Sequence, residues 1–197
     1  IGDYAFSSTS ISEVTLPDNL EYLGKNAFSN IEELVKDNHL IVGDVLYKVT
    51  EASGDYTIAS NIRVVSDFAL SDLNDITSIT VPSNVEEIGE GAFRPGYKKD
   101  LKKVTFNKGL KKLGNMLFHY NVNNSDYDVQ VYFNGTINEW NEIEKAPYWY
   151  AGLGANTVIC SDGEVGIRMS IEEWNSYFNL NSLGTNYTVM QKDHRTQ

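Results

Sequence analysis

One fifteen-residue pattern recurs along this chain, and it restricts the possible folds more than any other feature. Val81–Pro95 reads VPSNVEEIGEGAFRP; Leu16–Asn30 reads LPDNLEYLGKNAFSN, Ile58–Asp72 reads IASNIRVVSDFALSD, and Phe106–Tyr120 reads FNKGLKKLGNMLFHY. The copies begin at residues 16, 58, 81 and 106, so the steps are 42, 23 and 25 residues. A unit of that size cannot fold alone. It offers about six buried side chains at ~1.5–3 kcal/mol each, against an ordering cost of ~1–2 kcal/mol for every backbone residue. Stacking resolves the deficit, because each coil buries its face on the next.

The shared positions have physical meanings. Each unit starts with apolar residues spaced as a strand entering a core: Ile11, Val14, Leu16; Ile76, Ile79, Val81; Leu101, Val104, Phe106. Asn19, Asn61, Asn84 or Gly109 follows. These residue types tolerate positive φ, and a left-handed corner is expected there. Two apolar residues three apart come next, as in Val85 and Ile88, then a glycine at 24, 89 and 114, with Ser66 in its place in one copy. The unit closes on a small residue and a bulky one, Ala27-Phe28 or Ala92-Phe93, with Leu117 in the small position of the last copy. The long step of 42 holds an insertion over about 38–56, in which HLIVGDVLY predicts a hairpin about Gly43-Asp44, read as an extra excursion on the rim. The chain opens with IGDYAFSS, which matches the second half of a unit and predicts that a preceding segment is missing.

Taken together, ITSITVPSNVEEIGEGAF resembles the BspA-like leucine-rich repeats. The resemblance covers about residues 1–145. It implies an α/β repeat solenoid, a right-handed superhelix with a parallel concave sheet. It also implies a bacterial or protist surface or secreted protein acting in adhesion, binding a host protein or matrix component, with no catalysis and no cofactor.

Residues between the core positions of a solenoid strand face outward. Two columns result: Glu13, Asp55, Ser78, Lys103, Gln130, and Thr15, Thr57, Thr80, Thr105, Tyr132. They form the candidate ligand surface. Stacked threonine is also a good strand residue in its own right, so the ladder has a purely structural reading beside the functional one. A spacer that only presents other domains is the corresponding alternative function.

The repeats are expected over 1–126, with a terminal repeat, capping helices and a polar tail over 127–197. Thr136 and Glu139 predict a capping box, with Trp140 and Ile143 on one helix face; Ser170 and Glu173 predict a second, with Ile171, Trp174 and Phe178. TVICSDGEVGIRM predicts a hairpin about Asp162-Gly163. The aromatic residues here read as a cap over the open solenoid end. Trp140, Tyr148, Trp149 and Tyr150 also suggest a sugar platform, which makes carbohydrate binding a further alternative.

A formal charge of -11 argues against nucleic acid and anionic lipid as partners. No apolar run approaches the ~18 residues of a membrane span. His39, His119 and His194 stand apart in sequence and form no metal motif, and the single cysteine, Cys160, reads as a strand residue. Glu86-Glu87 and the Glu142/Glu144 pair read as solvated charges, not as acid and base. Sequons at Asn123, Asn134 and Asn186 matter only in a eukaryotic secretory host.

Overall fold

The computed structural model describes residues 1–17, 20, 22–95, 100–118, 129–155 and 157–167. The chain runs β1 (His39–Val42), β2 (Val45–Val49), β3 (Ser53–Thr57), β4 (Val64–Val65), β5 (Asp75–Val81), β6 (Glu87–Ile88), β7 (Lys103–Phe106), β8 (Lys112–Leu113), β9 (Gln130–Phe133), α1 (Ile137–Glu142), β10 (Glu144–Lys145), β11 (Thr157–Cys160) and β12 (Gly163–Gly166). From β2 onward it alternates between two sheets. The long-strand sheet has the order β3-β5-β7-β9-β11-β12, and the short-strand sheet has the order β1-β2-β4-β6-β8-β10. Successive coils pair in parallel within each sheet, and antiparallel hairpins stand at β1/β2 and β11/β12.

The corner that closes each unit makes a third ladder. Phe6 N–H donates to the Ala27 carbonyl at 2.8 Å, Leu70 to Ala92 at 2.9 Å and Phe93 to Leu117 at 3.1 Å. A coil therefore has three hydrogen-bonded sides around an apolar interior. Val104, Phe106, Val131 and Phe133 enter it from the long sheet, Val65, Ile88 and Leu113 from the short one, and Phe93 and Phe118 from the corner, while Phe28 fills the same corner in a separate cluster shared by the first coil and the hairpin. No coil owns this core: it is continuous from Leu46 to Cys160, which is why isolated units are not viable.

The sequence expectation of an α/β solenoid is corrected to a β-solenoid. Among the described residues the helix is confined to the six residues of α1 and a 3-10 turn at Glu32–Leu34. The segments between strands are too short, and too often turned by left-handed residues, to nucleate a helix. The left-handed corner also falls elsewhere. Asn61 and Asn84 do not have positive φ, although Gly109 does at +113°. Asn84 serves its corner through its side chain, donating to the Ile62 carbonyl. The left-handed residues are those just before the small-bulky pair, Tyr4, Phe68, Gly91 and Met116, with Ser8, Asn30 and Asp72 at the close of the corner.

The inserted hairpin forms, but it is not a rim excursion. Val45, Leu46, Tyr47 and Val49 are all buried, and β2 continues the short sheet against β4. Alternation exposes one face of a strand only when that face lacks a neighbour, and apolar residues on both faces draw β2 inside. The β11/β12 turn lies one residue earlier than expected, since Cys160 pairs with Gly163 around Ser161-Asp162. The capping box of α1 has both halves: the Thr136 side chain accepts from Glu139 N–H, and the Glu139 carboxylate accepts from Thr136 N–H at 2.8 Å. Asn19, the second capping box and its aromatic face, His119 and His194 lie outside the described residues.

A buried polar cluster joins coils on either side of the hairpin. Asn26 and Ser66 are both inside. Ser66 Oγ donates to Asn26 Oδ1 at 2.7 Å, and Asn26 Nδ2 donates to Asp67 Oδ2 at 2.7 Å and to the Tyr4 hydroxyl at 3.0 Å. The Asp67 carboxylate also takes Glu90 N–H at 2.7 Å and the Lys25 ammonium at 3.1 Å. Burial opposes the charge on Lys25, but the carboxylates of Asp67, Glu87 and Asp3 together outweigh it and hold the ammonium above its ordinary pKa. This explains why serine replaces glycine at 66: its hydroxyl has a partner forty residues away in sequence. Asn26→Ala, which strips Ser66 and part of Asp67 of their partner, is expected to cost about 2 kcal/mol in urea denaturation. Asn26→Ala/Ser66→Ala should lose less than the sum of the single changes; strict additivity would show that the two side chains do not act together.

Candidate binding face on the long-strand sheet

The outer face of the long-strand sheet is built by register. Asp55, Ser78, Lys103 and Gln130 are successive ladder partners, and so are Thr57, Thr80, Thr105 and Tyr132. Inward neighbours Ile79, Val104 and Val131 are fully or nearly fully buried. A one-residue slip would turn those apolar side chains outward, so the core itself fixes which residues face solvent. The columns run one strand further than sequence reading took them. Val158 and Ile159 pair with Val131 and Tyr132, which aligns Thr157 with Gln130 and Ile159 with Tyr132. A parallel partner with the alternation of TVIC is a legible signal in hindsight, but the fifteen-residue pattern has decayed by then.

The first two members of the columns do not join the sheet. Glu13 and Thr15 lie in a segment that belongs to no strand, and β3 is the sheet's edge. The inserted hairpin separates the first coil from the rest, so the ladder starts at Asp55 and Thr57. Their spacing in sequence resembles the later units, yet pairing depends on the neighbour in space.

Side chains interlock along the face. Ser78 Oγ donates to Asp55 Oδ1 at 2.6 Å, with Thr77 Oγ1 at 3.3 Å from the same oxygen. Thr77 is the extra residue of a bulge in β5 opposite Gly54-Asp55. The Lys103 ammonium lies 4.9 Å from the Tyr132 ring centroid, and the Tyr132 hydroxyl donates to Gln130 Oε1 at 2.8 Å. Elsewhere the charges of neighbouring coils pair with each other: Arg63 with Asp44 and Glu86, Lys111 with Glu86, Arg94 with Asp72, Lys108 with Glu139. Asp55 and Lys103 differ. Two strand spacings apart, roughly 10 Å, they form no ion pair among the described residues.

The aromatic residues of the sugar-platform reading are placed differently. Trp140 and Trp149 are 2% and 5% exposed. Trp140 packs against Phe106, Phe133 and Trp149 with centroids 5.3–6.0 Å apart, and the Lys145 ammonium lies 4.8 Å from its ring. Neither indole offers a free face to a sugar. Tyr148 and Tyr150 are half-buried.

Titratable groups elsewhere have structural surroundings. Contact with Thr136 N–H and the Lys108 ammonium lowers the Glu139 pKa. Burial raises the Cys160 thiol, keeping it protonated, in line with a strand residue inside the core. His39 Nδ1 lies 2.6 Å from the Asp37 carbonyl, which accepts only, so Nδ1 donates there, and Nε2 stands 2.9 Å from the Tyr56 hydroxyl. Burial pushes the Tyr56 hydroxyl up to about 12.

A coil of about 23 residues, closed by a small-bulky pair and stacked through three ladders, now has a counterpart among known families. The model of the BspA type leucine rich repeat region matches residues 1–125 in six copies. The chain belongs to this BspA-type family. Comparison with curated proteins and with solved structures gave no match. The family model counts six units, against the four copies and the truncated first one read from the sequence.

Proposed function

We propose that this BspA-type module is a non-enzymatic recognition element of a surface or secreted protein, and that it binds a protein partner, such as a host or matrix component, over the outer face of the long-strand sheet. One observation carries the reading: this face presents a regular, mostly neutral polar surface on which Asp55 and Lys103 stand in register without ion pairs among the described residues. Charges left open on a rigid face discriminate between partners through electrostatic complementarity. Thr57, Thr80, Thr105 and Tyr132 supply a surface that needs little ordering on contact. The formal charge of -11 disfavours nucleic acid as the partner.

The test uses beads coated with the whole chain and plated on a panel of immobilised matrix proteins and on cultured epithelial cells. Thr80→Lys/Thr105→Glu should reduce retention at least tenfold while leaving the urea midpoint within experimental error. Equal retention by a folded variant would remove the face from the binding function and favour a spacer role.

A further inference from the structure

A cavity of about 520 Å³ opens between the first coil and the hairpin, lined by Val14, Leu16, Leu34 and Ile41 and edged by Ser12, Glu13, Lys36 and His39. One wall is a strand, and the other is a segment without regular structure or positive φ. On one side runs β1, the edge of the short-strand sheet. On the other runs Ile11–Leu16, which among the described residues makes no backbone hydrogen bond to β1 or to any other segment. Within β1, Val42 closes the two-residue turn with Val45, and the alternation of an antiparallel pair then directs the Ile41 N–H and C=O to the outer edge. The same groups of His39 are taken by Lys36. The groove therefore holds open main-chain donors and acceptors on two sides, over an apolar floor.

We propose that this groove binds an extended peptide segment of a partner protein by strand addition, bonding to Ile41 on one side and to Ile11–Leu16 on the other. The occupant carries an acidic side chain at the Lys36 end and none beside Glu13 on the same rim, because Lys36 is exposed and takes part in no ion pair among the described residues. Main-chain pairing supplies most of the affinity in such complexes, and pockets for alternate side chains select the sequence. Val14, Leu16, Leu34 and Ile41 form the apolar pocket for the inward side chain.

The experiment titrates the full chain, labelled for amide NMR, with an acetylated and amidated heptapeptide of the sequence TVTVDVT. The affinity comes mainly from backbone pairing, so this generic strand serves as the probe. Amide shifts are expected at residues 11–16 and 39–42 and not at 53–57. N-methylation of alternate peptide nitrogens should abolish them, and Lys36→Glu should weaken binding about fivefold. An equal response to the methylated peptide, shifts centred on 53–57, or no shift at millimolar peptide would each overturn the proposal.

Discussion

Gly114→Val is expected to lower the stability of the chain by at least about 3 kcal/mol, with the effect felt across several coils. The reason is the closeness of neighbouring backbones. A Cβ at Gly114 would stand 2.5 Å from the Gly89 carbonyl carbon and 2.6 Å from Glu90 nitrogen. Gly89 has the same relation to Asp67 nitrogen, at 2.6 Å, and Gly24 to Asp3 nitrogen, at 2.6 Å. These are backbone atoms in ladders, not the ends of side chains that can swing away. To admit a Cβ the coils must separate, which breaks bonds such as Gly114 N–H to the Ile88 carbonyl at 2.7 Å. Gly166 is the control, because its Cβ would meet nothing within 4 Å. Gly166→Ala should remain within about 0.5 kcal/mol of the parent. Urea midpoints of the two variants decide the matter, and similar values would mean that the coils are not stacked as described.

Trp140→Ala should be the second severe change, costing about 3–5 kcal/mol. The indole sits between Phe106, Phe133 and Trp149, contributed by three different segments. Removing it leaves a cavity that these rings cannot fill, since each belongs to a strand or turn held in a ladder. A second readout comes from fluorescence. Trp149, 5% exposed in the parent, would gain water contact and emit at longer wavelength. A loss below about 1.5 kcal/mol would show that the ring is not part of the packed interior.

Much of this architecture is legible in the residues. The repeat length, the apolar triplets and the small-bulky corner dictate a stacked solenoid, because no other arrangement buries a unit of that size. The Thr136–Glu139 box and the outward columns from Asp55 to Gln130 are equally readable, since capping and strand alternation act over two to four residues. The chemistry of the glycines is only half visible. Their recurrence appears in the sequence, but the cause lies in the neighbouring coil, whose backbone would stand only 2.5–2.6 Å from a Cβ placed at Gly114, and not in a positive φ at those positions.

Sequence alone therefore determined the coil: its length, its core positions, its polar face and its need for neighbours. Tertiary structure alone decided which coils became neighbours. It placed β2 inside the short sheet, left Glu13 and Thr15 outside the long one, buried Trp140 and Trp149, and joined Asn26 to Ser66 across forty residues. The physical reason is range. Alternation, capping and turn chemistry are set within one coil, whereas pairing, burial and polar partners depend on what the adjacent coil brings to the same place in space.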